Sequence, residues 1–270
     1  MGVRGLMTYC TGIQTRASNK HTNKRIGIDA FSIIFLFRDD RERFIEYFKN
    51  LKEKGHKMTF VMDRKAQKEK KETVDNRKER RFQAKDKAEE ISTFTQTVEF
   101  SELAEEHQKV IEKTLEKKKR DAWCLYPEYN KWLVKTLEEL EIPLVYAKEE
   151  ADTYLTSGSE FDIIISSDSD LLILGANILW IPKGVGNHYE ILKSNFLNHL
   201  GLEGRQLYEL AFIAGCDIQP KKFTDIITAI SWLRFYGSIE VIQKKFPKIL
   251  SIEDIEHFNT LLKTAWNIEK

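Results

Sequence analysis

Short apolar runs alternate with longer amphipathic stretches along the first two thirds of the chain, and the runs stop at acid. Four strands are predicted from β-branched, apolar segments: RIGIDA at 25 to 30, HKMTFVMD at 56 to 63, IPLVYAKEEAD at 142 to 152 and FDIIISSDSD at 161 to 170. After the first, FSIIFLFRDDRERFIEYFKNLKEKG reads as one amphipathic helix, with Phe37, Phe44, Phe48 and Leu51 near one face and Gly55 as its C-cap. Residues 65 to 120 contain no Pro or Gly and run as charged helical sequence. That is too long for a plain crossover, so it predicts an inserted helical hairpin or arch, interrupted near STFTQTVEF at 92 to 100. A helix over 128 to 141 follows, and Pro143 opens the next strand. Two further strands, at 177 to 181 and 188 to 191, flank the turn KGVGN. From Lys193 the pattern is helical, and LEGRQLYELAFIAGCD presents an apolar face ending near Asp217.

Alternation of strand and helix implies an α/β fold, a mostly parallel twisted sheet flanked by helices with right-handed crossovers. The expected organisation is a core over residues 1–192, with the helical arch inserted at about 64–120, and a smaller C-terminal helical subdomain over 193–270. Neither an internal repeat nor a low-complexity linker interrupts it.

Composition narrows the class. With 270 residues, 41% hydrophobic and 31% charged, the chain can bury a full core and is not disordered. Its net charge of +1 excludes a global basic field, yet residues 64 to 87 hold eleven Lys/Arg against five Asp/Glu. A positive arm beside acidic strand ends is what a metal-using nucleic-acid enzyme needs. Cys10, Cys124 and Cys216 are odd in number and far apart, which argues for a reducing compartment, and no zinc-like Cys/His spacing occurs. No stretch suits a membrane span or a signal-peptide core, and Leu6 breaks the myristoylation pattern. The expectation is an intracellular monomer, nuclear or cytoplasmic, without membrane contact.

Seven carboxylates carry the chemistry: Asp29, Asp63, Glu150, Asp152, Asp168, Asp170 and Asp217. In open α/β sheets ligands bind beyond the carboxyl ends of the strands, so positions far apart in sequence converge there. Carboxylates packed together repel, and either protonate or take cations. Mg²⁺ suits them, since it is bound by a few carboxylates, water and substrate phosphate oxygens. The pairs Glu150/Asp152 and Asp168/Asp170 fit two Mg²⁺, or Mn²⁺, about 3.5 to 4 Å apart, an arrangement that hydrolyses phosphodiesters. No Walker loop, GxGxxG or Ser/His/Asp set offers another anchor. The plainer reading of any one of these residues is an N-cap of the next helix. Likewise, the basic stretch is either a solvated helix face or a phosphate contact made by Lys70, Arg77, Arg80 and Arg81. Phe35 is either core or a base-stacking ring.

Taken in order, MGVRGL, IGIDA, VMDR, EEAD, SSDSDLL and GCD resemble the flap endonuclease / XPG superfamily of structure-specific 5′ nucleases, over essentially the whole chain. Compact length and a sparse C-terminal region look most like the short flap-endonuclease-like proteins of poxviruses and other large DNA viruses. The resemblance implies a PIN-like fold, a divalent-metal-dependent nuclease, and DNA with 5′ flaps or single-strand/double-strand junctions as partner, in replication, repair or recombination. It also implies that Asp29, Asp63, Glu150 and Asp152 serve the first metal site and Asp168, Asp170 and Asp217 the second. Lys70 and Arg77 would engage the scissile phosphate, Phe35 would stack near the cleaved nucleotide, and Gly2 would pack close to the active site. Two departures stand out. After GCD the text is IQPKKFTDIITAISWLRFYG, without the glycines of the usual helix-two-turn-helix element, so any duplex grip would rest on Lys221 and Lys222. No sliding-clamp peptide is present. The rival readings are a 5′-to-3′ exonuclease on DNA or RNA and a non-catalytic nucleic-acid-binding factor.

Overall fold

Seven strands form one sheet in the computed structural model, which describes residues 2–16, 21–64, 71–148, 150–158, 160–183, 187–264 and 266. They are β1 (Thr15–Arg16), β2 (Arg25–Asp29), β3 (Lys57–Asp63), β4 (Leu144–Ala147), β5 (Ile163–Ile165), β6 (Ile178–Pro182) and β7 (His188–Leu192), in the order β1-β7-β6-β5-β2-β3-β4. From β6 through β5, β2 and β3 to β4 every pairing is parallel, with Ile26 opposite both Met58 and Ile163. At the other edge β7 runs antiparallel to both β6 and β1. The expected mostly parallel sheet is therefore present.

Parallel strands covered on both faces read as unbroken apolar runs, and β2 and β5 do: Ile26, Ile28, Ile163 and Ile165 are fully buried. Each such side chain contributes about 1.5–3 kcal/mol by leaving water. Gly27 has a steric role in β2. A Cβ there would lie 2.6 Å from Leu155 and 2.9 Å from Phe161, so the missing side chain lets these residues pack onto the strand.

The predicted single helix after β2 is two. Helix Ala30–Phe37 ends where Arg38 takes φ 50°, and helix Arg41–Glu53 restarts with Asp40 as its N-cap, accepting from the Arg43 N–H at 3.3 Å. The apolar periodicity continues across the break because Phe37 packs on both Phe44 and Tyr47, at 5.7 and 5.2 Å between ring centroids. Lys54 is the C-cap of the second helix, and Gly55, expected there, follows it at φ 77°. The edge strand β1, two residues long, has no counterpart in the sequence reading.

Chain contacts divide the protein into two compact units, Lys71–Trp132 and the remainder. In the larger one, helices Lys193–Leu200, Arg205–Ala214, Ile226–Tyr236, Ile239–Lys245 and Ile252–Thr264 share a continuous core with β5, β6, β7 and the N-terminal helix Leu6–Tyr9. The smaller unit is a helical hairpin. Helix Lys71–Phe94 packs against helix Glu105–Ala122 through Ala84, Ala88 and Leu115, and the short helix Val98–Ser101 lies between them in sequence. Beyond it Trp123, Tyr126 and Trp132 surround the fully buried Tyr129 ring at 5.4, 5.8 and 4.9 Å. Among the described residues no helix is long and apolar enough to cross a membrane.

Candidate functional site

The strand order reverses at β2, because the chain proceeds from β2 to β3 and β4 on one side and then returns to place β5 on the other. Such a switch point opens a crevice beyond the carboxyl ends of the two central strands. Asp29 is the last residue of β2, and Ser166 follows β5 immediately.

Hydrogen bonds tie that crevice together. Asp29 caps the following helix, its Oδ1 accepting from the Ser32 N–H at 3.3 Å, while its Oδ2 accepts from the Ser166 hydroxyl at 2.7 Å. Ser166 Oγ also accepts from the Asp168 N–H at 2.9 Å, and Asp168 Oδ1 accepts from the Asp170 N–H at 3.1 Å. From β3, Asp63 Oδ1 accepts from the Ala151 N–H at 2.6 Å, which draws the β3 end to the segment carrying Glu150 and Asp152. Glu150 and Asp217 are buried. The capping role and the pocket role are thus not exclusive: Asp29 is an N-cap and a pocket residue together.

Electrostatics report the same convergence. Burial, then the charges of Asp168 and Asp63, push the Asp29 carboxyl up to about 6 against the opposing hydrogen bonds from Ser166 and Ser32. Burial likewise pushes the Cys216 thiol up to about 12, with the carboxylates of Asp170 and Asp217 adding to it. Asp29 therefore lies in the field of Asp168 and Asp63, and Cys216 in that of Asp170 and Asp217.

The N-terminal segment lies between these groups. A Cβ on Gly2 would lie 2.3 Å from Asp168 Oδ1 and 2.3 Å from Ser169 Oγ, so only a glycine fits there without displacing a pocket residue. The Ser169 hydroxyl donates to the Val3 carbonyl at 3.4 Å, and the Arg4 N–H donates to the Gly215 carbonyl at 2.9 Å. Gly215 itself has φ 84°, conformationally suited to glycine, two residues before Asp217.

The donor set fits a hard divalent cation in kind: it is all carboxylate oxygen, partly buried, and mutually repelling at Asp29. Among the described residues, however, no three His, Cys, Asp or Glu groups converge closely enough to enclose an ion. Pairwise links join Asp29 to Asp168 and Asp63 without closing a coordination shell.

The remaining sequence-selected residues divide between the units. Phe35 is half-buried on the helix that Asp29 caps. In the hairpin unit Arg77 and Arg81 are half-buried and Arg80 is exposed, all on helix Lys71–Phe94, whereas Lys70 lies outside the described residues. Lys221 Nζ pairs with Asp254 at 2.9 Å and lies 4.4 Å from the Phe223 ring centroid; Lys222 is exposed. Sequence reasoning missed one residue: Ser166 was visible as the first serine of SSDSD but carries no charge.

No protein-family model matches this chain. A curated flap endonuclease 1 from Methanopyrus kandleri is 26% identical over 258 residues, covering 84% of this chain and 71% of its own. Among solved structures, the catalytic core of Rad2 superposes with a TM-score of 0.65 at 18% identity, covering 92% of this chain and 71% of that one. Human GEN1 in complex with Holliday junction DNA gives 0.58 at 16%, covering 96% of this chain and 61% of that one. The fold is therefore that of a flap-endonuclease-like catalytic core, and in sequence the chain is distantly similar to the curated flap endonuclease.

Proposed function

We propose that this chain is a divalent-metal-dependent, structure-specific 5′ nuclease that hydrolyses phosphodiester bonds of branched or flapped DNA, in replication, repair or recombination. One observation carries the reading: where the strand order reverses, the Asp29 carboxyl at the end of β2 is pushed up in part by the charges of Asp168 after β5 and Asp63 at the end of β3, and Asp63 accepts from the Ala151 N–H after β4. A sheet built for stability alone gains nothing from packing like charges there. The distant relation to a flap endonuclease and the Rad2-like fold support the same assignment. The relatives lend no support to a viral branch, which rests on chain length and the sequence after Asp217.

In this reading Asp29, Asp63, Glu150, Asp152, Asp168, Asp170 and Asp217 would hold two Mg²⁺ or Mn²⁺. Bound metal would supply an acidified water and charge neutralisation on the departing oxygen. The chain's own contribution is orientation. Ser166 fixes the Asp29 carboxylate, the Ala151 N–H fixes Asp63, and the absence of a Cβ on Gly2 leaves Asp168 in place. Phe35 would stack on a base, Lys70, Arg77, Arg80 and Arg81 would meet phosphates, and Lys221 and Lys222 would hold the duplex arm.

Purified protein on labelled 5′-flap, nicked, blunt and single-stranded RNA substrates, with Mg²⁺ and with EDTA, tests the assignment. Cleavage near the flap junction, abolished by EDTA, is expected. Stepwise release from a blunt or nicked 5′ end would instead identify a 5′-to-3′ exonuclease, and binding without cleavage a non-catalytic factor.

A further inference from the structure

The helical hairpin carries a charge division that the nuclease reading does not use. From Lys71 to Lys87 it holds seven Lys/Arg against four Asp/Glu, but from Glu89 to Glu106 six glutamates and no Lys or Arg. Lysines flanking this segment pair with some of them: Lys85 with Glu89 at 3.9 Å, Lys87 with Glu90 at 2.7 Å and Lys109 with Glu105 at 2.5 Å. These pairs are exposed and cancel little of the local field. Glu99, Glu102 and Glu106 add three more carboxylates.

Apolar surface lies in the same region. Val98 is 70% exposed, Val110 61% and Phe94 39%, and a cavity of about 230 Å³ is lined by Glu90, Ile91, Phe94, Ile111 and Thr114. The connecting segment is built rather than loose. The Gln108 amide lies within 3.2 Å of the carbonyls of Phe100, Ser101 and Leu103, Thr97 caps the short helix Val98–Ser101, and Phe94 and Phe100 meet edge to face at 5.9 Å. These contacts fix the shape of the segment that carries the exposed Val98.

Charge selects what covers it. Glutamates repel nucleic acid phosphates, anionic lipid and the same face of a second copy alike. We propose that this end of the hairpin is a docking surface for a Lys/Arg-rich amphipathic segment of a partner protein, with one aliphatic side chain of that segment seated among Ile91, Phe94 and Ile111. Its basic residues then face Glu90, Glu99 and Glu102 in the manner of an amphipathic helix on a complementary groove.

The probe is a short helical Leu/Lys peptide carrying a photo-crosslinking group, added to the intact protein, with a Leu/Glu peptide of the same pattern and a Gly/Lys peptide of the same charge as controls. Crosslinks of the Leu/Lys peptide are expected within residues 89–114, with neither control binding comparably. Val98→Lys with Val110→Lys, both at exposed positions, should leave the circular dichroism unchanged and weaken binding by about tenfold or more. Glu99→Gln with Glu102→Gln should weaken it by about threefold and flatten its salt dependence. Crosslinks elsewhere, equal binding of the Gly/Lys peptide, or no effect of the double lysine variant would overturn the proposal. So would displacement of the peptide by oligo-dT, or a concentration-dependent dimer lost in the same variant.

Discussion

The Ser166 hydroxyl gives its hydrogen to Asp29 Oδ2 at 2.7 Å, and its oxygen takes the Asp168 N–H at 2.9 Å. One buried hydroxyl therefore couples the acid at the end of β2 to the acids after β5. Ser166→Ala should leave the fold intact and lower activity by about 10- to 100-fold, the range for partners that orient metal ligands. Its signature is a rise in the Mg²⁺ concentration needed for half-maximal rate, partly restored by Ser166→Thr, with metal-free DNA binding unchanged. An unaltered Mg²⁺ dependence would reduce Ser166 to packing.

Asp29→Asn and Asp168→Asn should each abolish cleavage. Without metal, neither should lower the thermal midpoint, because Asp29 is already strained by burial and by the charges of Asp168 and Asp63. At position 29 asparagine's single carbonyl oxygen can still accept from Ser166, at the expense of the Ser32 N–H cap. Turnover and melting, measured side by side, decide this. Activity within about tenfold of the parent in both variants would sink the metal assignment.

Two glycines near the N-terminus should behave oppositely. A Cβ on Gly2 lands 2.3 Å from Asp168 Oδ1, whereas one on Gly12 meets nothing within 4 Å. Gly2→Ala should thus cost about 1–3 kcal/mol or displace Asp168, and cut activity, while Gly12→Ala stays within about 0.5 kcal/mol. Equal behaviour of the two would show that the N-terminal segment yields without disturbing the pocket.

Stability should depend on pH through two groups of opposite sign. Burial outweighs the Arg205 guanidinium and pushes the Glu209 carboxyl from 4.5 up to about 7, so its favourable contribution is complete below 4.5 and is lost as pH rises through 7. Burial pushes His188, beside Tyr47, from 6.5 down to about 4, so its contribution is complete above 6.5 and is lost as pH falls through 4. Each is worth roughly 1–3 kcal/mol. Relative to the parent, Glu209→Gln should gain stability from pH 4.5 to 8, and His188→Asn should gain it from pH 6.5 to 4. Chemical denaturation across that range tests both, and pH-independent differences would refute the assignment.

Of the two lysines after Asp217, Lys221 is already engaged by Asp254 and Phe223. Lys222→Ala should therefore weaken flap-DNA binding more than Lys221→Ala, measured as the change in salt slope. The reverse order would mean that Lys221 leaves Asp254 for phosphate.

What could be read from sequence followed from period and position. Asp29 and Asp63 close apolar runs, so their places at strand ends were visible, as was the hairpin in a Gly- and Pro-free charged stretch. Arg38 was not readable as a break: nothing in FRDDR marks a positive φ on arginine, and the apolar spacing continues through it. The pairing of β1 with β7 was hidden because two residues carry no periodicity. Ser166 escaped because its importance lies in two hydrogen bonds, one to a residue 137 positions away, and local pattern cannot register such a contact.

Strands β3 and β4 are sheet neighbours, with Phe60 opposite Leu144, yet the whole hairpin lies between them in sequence. Ordering two ends separated by so long a segment costs chain entropy that grows only logarithmically, about 0.6 kcal/mol for each doubling of its length. Lengthening or shortening the hairpin should therefore leave the pairing of β3 with β4 almost untouched.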